Sequence, residues 1–181
     1  VSLLPKAGKE LWRQEFPYKV STAASPVVAG DLVFCSAGYG VGAGLYKISK
    51  RGSKFSSSQV WRKPNDVINH WSTPVYHDGH LYGMFSFKKY GDGPLQCVEL
   101  KTGMVKWSED GYGPGNVILA GNHLLALSDK GELSVVKASS CHYQELARKK
   151  LISGKCWSTP TLSQGLVFIR STEEAVCLSV K

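Results

Sequence analysis

Two short clusters in the sequence join an aromatic ring to a basic side chain: Asn69-His70-Trp71 and Lys155-Cys156-Trp157. An indole beside an imidazole or an ammonium group can hold an anionic or sugar-like ligand, because the ring face attracts cations and offers a flat apolar surface. Other reactive residue types stand at spacings that give them no chemistry. His77, His80, His123 and His142 fall in or beside turns or on strands, with no carboxylate or second histidine at ligand spacing, and read as surface histidines. Gly38-Tyr39-Gly40-Val41-Gly42-Ala43-Gly44 lacks a Gly-Lys-Ser/Thr ending and leads into a strand instead of a helix. It reads as a flexible connection, and Arg51 to Ser58 reads as a polar loop. No Ser/His/Asp set and no glycosidase-style pair of carboxylates can be placed.

The five cysteines are Cys35, Cys97, Cys141, Cys156 and Cys177. None forms a C-x-x-C motif or an adjacent pair. Cys97 and Cys177 occupy matching places in the apolar stretches Leu95-Gln96-Cys97-Val98 and Ala175-Val176-Cys177-Leu178, and both read as small buried hydrophobes. An odd count argues against a complete disulfide framework, while a Cys141–Cys156 bridge stays open.

Across 181 residues, 43% hydrophobic and 20% charged content suits a globular domain with a real core. The net charge is +8, but the basic residues are scattered, the densest groups being Arg148-Lys149-Lys150, Lys50-Arg51 and Lys88-Lys89. That spread reads as a solvated basic surface, with polyanion binding as an alternative that would weaken steeply with salt. No apolar run approaches membrane-span length. Val1 to Pro5 is too short for the apolar part of a signal peptide, and a start without Met reads as a processed product or fragment.

The elements that must position these residues recur. Trp71-Ser72-Thr73-Pro74-Val75 followed by Gly79-His80-Leu81-Tyr82 has a near-copy at Trp157-Ser158-Thr159-Pro160-Thr161 followed by Gly165-Leu166-Val167-Phe168. A looser copy runs from Ser25 to Phe34 and a weaker one from Gly113 to Leu125. The hairpin glycines Gly30, Gly79, Gly121 and Gly165 fall at intervals of about 40–50 residues, the length of a four-stranded propeller blade. No amphipathic helix is evident. The spacing predicts an all-β propeller of four-stranded antiparallel blades over 20–62, 71–108, 115–149 and 157–180, with an opening strand at 8–16. Trp12 stands where Trp107 stands, and Leu146 takes the tryptophan's place in the third blade. The opening strand is expected to pair beside the last one, so that four blades close with no free edge.

Gln96-Cys97-Val98-Glu99-Leu100-Lys101-Thr102-Gly103-Met104-Val105-Lys106-Trp107, with the Ser-Thr-Pro-Val and x-x-Gly-x-Leu-Tyr segments, resembles the quinoprotein (PQQ) dehydrogenase-like propeller repeat. The likeness covers essentially the whole chain and points towards exported bacterial PQQ-like proteins of the BamB-like kind, which implies a periplasmic setting. Rings in this superfamily usually have seven or eight blades. Four blades therefore imply a fragment of a longer chain, two chains sharing one ring, or a true four-bladed ring, the first two being favoured.

By that resemblance, ligands meet the face made by the loops entering the inner strands and those joining the second and third strands. On it would fall His70, Trp71, Lys155, Trp157, Asn69 and Asn116, with Tyr39, Lys88, Lys89, Tyr90, Lys130 and Arg170 around the rim. Trp71 and Trp157 also read as repeat signatures that pack between blades. A PQQ- and Ca²⁺-dependent alcohol or sugar dehydrogenase is the enzyme alternative. Against it, the family's adjacent cysteine pair is absent, and Asp66, Asn69 and Asn116 are the only loose Ca²⁺ ligands. The reading is a non-catalytic binding or assembly scaffold without a cofactor or a metal, with a protein partner and a possible homodimer that completes a larger ring.

Overall fold

A computed structural model describes residues 1–20, 22–85 and 93–180. Its described residues form seventeen strands and no helix, so no helix is long and apolar enough to cross a membrane. The opening hairpin pairs β1 (Ser2–Leu3) with β2 (Glu10–Trp12). The first sheet is β3 (Val27–Ala29), β4 (Leu32–Ala37), β5 (Gly42–Arg51) and β6 (Lys54–Lys63). The second is β7 (Val75–His77), β8 (His80–Met84), β9 (Leu95–Glu99) and β10 (Val105–Glu109). The third is β11 (Asn116–Ala120), β12 (His123–Leu127), β13 (Glu132–Lys137) and β14 (Glu145–Lys150). The last holds β15 (Thr161–Ser163), β16 (Leu166–Arg170) and β17 (Ala175–Ser179). In every sheet the strands follow sequence order and run antiparallel.

Period-2 alternation gives each sheet two faces, and side-by-side stacking buries a face wherever another sheet lies against it. The forward row of the first sheet, Val27–Phe34–Leu45–Trp61, packs on Leu81, Val98 and Leu100 of the second. The second sheet's row, Val75–Tyr82–Cys97–Trp107, packs on Val117, Leu124, Ala126 and Val136 of the third. The third sheet's row, Ile118–Leu125–Val135, packs on Val167, Ile169 and Val176 of the last. Trp61 and Trp107 each close an interface by donating an indole N–H forward, to the Leu100 carbonyl at 3.0 Å and the Ser139 carbonyl at 2.7 Å.

A bulge in each fourth strand aims that tryptophan. Trp61 faces Leu45 and Gln59 faces Tyr46, with Val60 extruded; Lys106 is extruded in the same way before Trp107. In the third sheet the extruded residue is Leu146, and Ala147 opposes Val135. The tryptophan's place is thus taken by Ala147, not by Leu146: the bulge shifts the alternation by one residue, which a strict period of two does not anticipate.

The opening strand does not pair beside the last one. Its partner is β1, and the last sheet has three strands among the described residues. The hairpin repeats the outer half of a blade: Ser2 faces Trp12 and Leu3 faces Glu10 with Leu11 extruded. Its turn bonds, Leu4 N–H to Lys9 O and Gly8 N–H to Leu4 O, match Glu99 N–H to Met104 O and Gly103 N–H to Glu99 O. Ser2 and Leu3 thus supply the third-strand place that was expected of β17. Beyond the hairpin, Phe16 meets Tyr46 edge-on at 6.3 Å and carries the Arg62 guanidinium over its ring at 5.0 Å.

Other expectations change for local reasons. Gly42-Ala43-Gly44 belongs to β5 and is buried, so of the glycine-rich stretch only Gly38 to Val41 forms the turn between β4 and β5. A Cβ on Gly42 would lie 2.0 Å from the Lys63 carbonyl oxygen, so close backbone approach is what the glycine serves. Lys54 to Ser58 is strand as well, β5 and β6 forming one long ribbon turned at Gly52. The inner strands are shorter than expected, three residues each in β3, β7 and β15. Cys97 is buried, but Cys177 is exposed, because the face carrying it has no sheet against it. All five cysteines are free, including Cys141 and Cys156.

Candidate functional site

The loop that enters β7 is wound tightly before it delivers His70 and Trp71. Asn65 and Val67 both adopt positive φ, 60° and 50°, costly for a β-branched residue and held by surrounding bonds. The Asp66 carboxylate accepts from the Val67 amide at 2.8 Å. Ser36 in β4 donates its hydroxyl to the Val67 carbonyl at 3.0 Å and accepts the Asn69 amide at 2.7 Å. Buried Asn69 donates its side-chain amide to the Met84 carbonyl at 3.0 Å. The His70 carbonyl then accepts from the amides of Ala23 and Ala24 and from the Thr22 hydroxyl. The loop is therefore fixed between the first and second sheets.

The loop entering β15 is held in the same fashion. Buried Cys156 donates its amide to the Asp129 carbonyl at 2.8 Å, and Lys155 donates its amide to the Thr172 hydroxyl at 3.2 Å. Asn116 of β11 donates to the Trp157 carbonyl at 3.0 Å and accepts from the Thr159 hydroxyl at 3.3 Å.

Five side chains from three sheets then form a continuous line. Tyr39 and His70 rings lie 4.8 Å apart, with the Tyr39 hydroxyl 3.2 Å from His70 Nε2. His70 and Trp71 centroids are 4.8 Å apart, as are those of Trp71 and Trp157. The Lys155 ammonium lies over the Trp157 ring at 4.3 Å. Tyr39 at one end and Trp157 beside Lys155 at the other remain 49% and 37% exposed. The exposed parts of the Tyr39 and Trp157 rings, with the Lys155 cation beside the latter, suit an aromatic or acidic partner segment.

Of the residues expected at the face, His70, Trp71, Lys155 and Trp157 come together, and rim residue Tyr39 joins them. Asn69 and Asn116 are buried and brace the loops instead of facing a ligand. Lys130 is exposed in the β12–β13 turn, where its carbonyl accepts the Lys150 ammonium. Arg170 ends β16, accepts the Ser158 hydroxyl at its carbonyl at 2.8 Å, and borders the uncovered face of the last sheet. Lys88, Lys89 and Tyr90 lie outside the described residues. Trp71 and Trp157 pack on each other across nonadjacent sheets, so the reading of each as a spacer between neighbouring blades does not describe this contact.

One cluster had no motif to announce it. The Tyr112 and Tyr143 hydroxyls meet at 2.8 Å, Tyr143 also donates to the Glu145 carboxylate, and Arg148 binds that carboxylate through Nε and Nη2 at 2.9 and 2.8 Å. The Arg148 guanidinium also covers the Tyr112 ring at 4.9 Å. Burial alone would raise the Glu145 carboxyl, but its bonds to Arg148 and Tyr143 hold it below the usual carboxylate range. Burial, then the Glu145 carboxylate, drives the Tyr143 hydroxyl far up. The group ties the third sheet to the connection leaving the second. Elsewhere, burial raises the Asp129 carboxyl, next to the lysine-bearing turn.

Among the described residues no three His, Cys, Asp or Glu side chains gather at metal-ligating distance. The oxygens that could serve Ca²⁺ under the dehydrogenase alternative do not fit it. Asn116 spends both ends of its amide on the last sheet, Asp66 caps its own loop, and only buried Asn69 Oδ1 lacks a partner there. Ca²⁺ takes about six to eight converging oxygens.

Radial, sequentially ordered four-stranded sheets with loops meeting on one face define a β-propeller built from PQQ-like repeats. The family model described as "Outer membrane protein assembly factor BamB" matches residues 1–180, and the chain belongs to that family. Among solved structures it resembles BamB from Moraxella catarrhalis, with a TM-score of 0.66 and 11% identity over 97% of this chain and 49% of that one. It also resembles two computationally designed proteins. Ika8 matches with a TM-score of 0.64 and 12% identity over 98% of this chain and 51% of that one; Ika4 matches with 0.65 and 13% over 96% and 99%. The chain thus spans about half the length of BamB and of Ika8. At these identities the likeness is one of fold. A search of curated protein sequences gives no match.

Proposed function

We propose that this chain is a non-catalytic scaffold that presents its propeller loops to a protein partner, in an exported protein of periplasmic type. The line Tyr39–His70–Trp71–Trp157–Lys155 carries the reading, because its loops are fixed by hydrogen bonds to Ser36, Met84 and Asn116 before any partner arrives. A surface held in advance loses little conformational entropy on binding, so a partner segment meets it at low cost. The match to an assembly-factor family supports the same direction.

Selection of a displayed peptide library against the chain tests it. Enriched peptides should bind the native chain and lose at least about tenfold in affinity to Trp157→Ala, the truncation cost of a hot-spot aromatic. An unchanged circular dichroism spectrum would show that the variant still folds. Binders indifferent to both Trp157→Ala and Tyr39→Ala would sink the proposal. So would stoichiometric PQQ uptake with Ca²⁺ and dye-linked alcohol oxidation.

A further inference from the structure

The long ribbon of the first sheet outgrows its blade. In the second and third sheets the third strand ends opposite the first residue of the second strand, Glu99 facing His80 and Lys137 facing His123. The matching pair in the first sheet is Lys47 and Leu32, yet β5 runs on to Arg51 and β6 returns from Lys54. Four further pairs, Ile48–Ser57, Ser49–Ser56, Lys50–Phe55 and Arg51–Lys54, therefore make a two-stranded finger about 13 Å long, at roughly 3.3 Å per residue. A two-residue turn, Gly52-Ser53 with Gly52 at a φ of 59°, closes its tip.

Alternation divides the finger into two faces. One is turned to the chain that follows β2, where Ser57 donates its hydroxyl to Gln14 Oε1 at 2.9 Å. On the other, Ser49, Arg51, Lys54 and Ser56 are all exposed. Residues 48–57 hold three cations, four serines and no carboxylate. Lys47 at the base is matched by Asp31 at 3.4 Å, as Arg13 is by Glu10 and Arg148 by Glu145. Among the described residues no carboxylate pairs with Lys50, Arg51 or Lys54. Arg51 and Lys54 also stand directly opposite each other, an arrangement that like charges disfavour. An anion at the tip relieves that repulsion, and the serine hydroxyls can donate to its oxygens.

We propose that this finger sets its tip on a membrane surface that carries anionic phospholipid. The tip is a projection and not a groove, so a flat array of headgroups meets Lys50, Arg51 and Lys54 together, whereas a single polyanionic strand finds no walls to follow. The ring in the finger, Phe55, is half-buried beneath the Lys50 ammonium at 5.3 Å and does not offer a bare face for stacking a base. The inference goes beyond the proposed function and is independent of it, because the finger shares no residue with the line from Tyr39 to Lys155. It gives Lys50-Arg51, one of the densest basic groups in the sequence, a partner.

Co-sedimentation of the chain with vesicles tests it, one set of phosphatidylcholine alone and the other of equal parts phosphatidylcholine and phosphatidylglycerol. Binding to the mixed vesicles is expected, weakening as salt screens the charges, with little to the neutral ones. Each cation near an anionic surface is worth roughly a fivefold gain in affinity, so Arg51→Ser with Lys54→Ser should lose at least about tenfold. Lys106→Ser with Lys149→Ser removes the same net charge from β10 and β14, away from the finger, and should lose under about threefold. All four side chains are exposed, so neither double variant should change the circular dichroism spectrum or lower the unfolding midpoint. Equal binding to both vesicle types overturns the inference, as does no binding at low salt, or equal losses in the two double variants. A DNA duplex or an acidic peptide that binds more tightly than the mixed vesicles through Arg51 and Lys54 overturns the membrane assignment as well.

Discussion

The second and the last sheets are built from similar sequence, Trp-Ser-Thr-Pro then Gly, an aliphatic residue and an aromatic, yet they sit differently in the molecule. The second is covered on both faces: Leu81 and Val98 receive the first sheet while Tyr82 and Cys97 press on the third. The last is covered on one, with Val167 and Ile169 buried and Phe168 and Cys177 exposed. Similar residues at similar register thus have different worth. What decides is whether another sheet lies opposite, because hydrophobic stabilisation follows area removed from water and not residue type.

Truncation should make this contrast visible first. Phe34→Ala or Tyr82→Ala should cost about 3–5 kcal/mol in urea unfolding, the range for emptying a buried aromatic site. Phe168→Ala should cost under about 1 kcal/mol, because Phe168 is 43% exposed. Equal losses would dissolve the distinction between the two sheets.

The polar tether of the last sheet comes next. Asn116→Leu leaves the Trp157 carbonyl and Thr159 hydroxyl without that partner, and should cost about 1–3 kcal/mol. Movement of Trp157 away from Trp71 should appear as a change in indole fluorescence. An unaltered spectrum would mean that packing alone positions the loop.

The clasp of Tyr112, Tyr143, Glu145 and Arg148 has no counterpart on the last sheet, and it gives the second-to-third junction a pH dependence. Glu145 is held below its ordinary value when folded, so its contribution is fully present above the unfolded value of about 4.3 and is lost as pH falls through the folded one. Stability measured across that acid window should fall less steeply in Glu145→Gln than in the parent. Near neutral pH, Arg148→Ala should cost on the order of 1 kcal/mol. A parent and Glu145→Gln with the same acid slope would refute the coupling.

The smallest effect is chemical. Cys97, whose thiol burial pushes up to about 11, should resist alkylation in the folded chain, while exposed Cys177 reacts first. Comparable rates would mean that the second sheet opens as readily as the last.

Much of this architecture could be read from the residues. Glycine at each hairpin, proline ahead of each inner strand and tryptophan in β2, β6 and β10 have local causes, so a local pattern reveals them; Asp78-Gly79 and Gln164-Gly165 do take the positive φ values that tight hairpins need. What escaped was non-local. Trp12 correctly marked a fourth strand, but nothing in Ser2-Leu3 announces that it, not β17, lies beside it. Leu146 was credited with a place that one extruded residue hands to Ala147. For the site, the basic–aromatic pairs at His70-Trp71 and Lys155-Trp157 stood out in sequence. Their meeting could not, since it depends on how sheets two and four are disposed around a common face. The tyrosine–arginine clasp draws on a loop and a strand region far apart in the chain, with no recurring spacing to betray it.

The one-sided burial of the last sheet has a dynamic consequence. Each sheet touches chiefly its sequence neighbours, so cohesion passes along the array like tension through a chain of couplings, not through one shared interior. Amide protons of β15–β17, whose sheet packs on one neighbour among the described residues, are therefore expected to exchange through partial openings that leave the preceding three sheets standing.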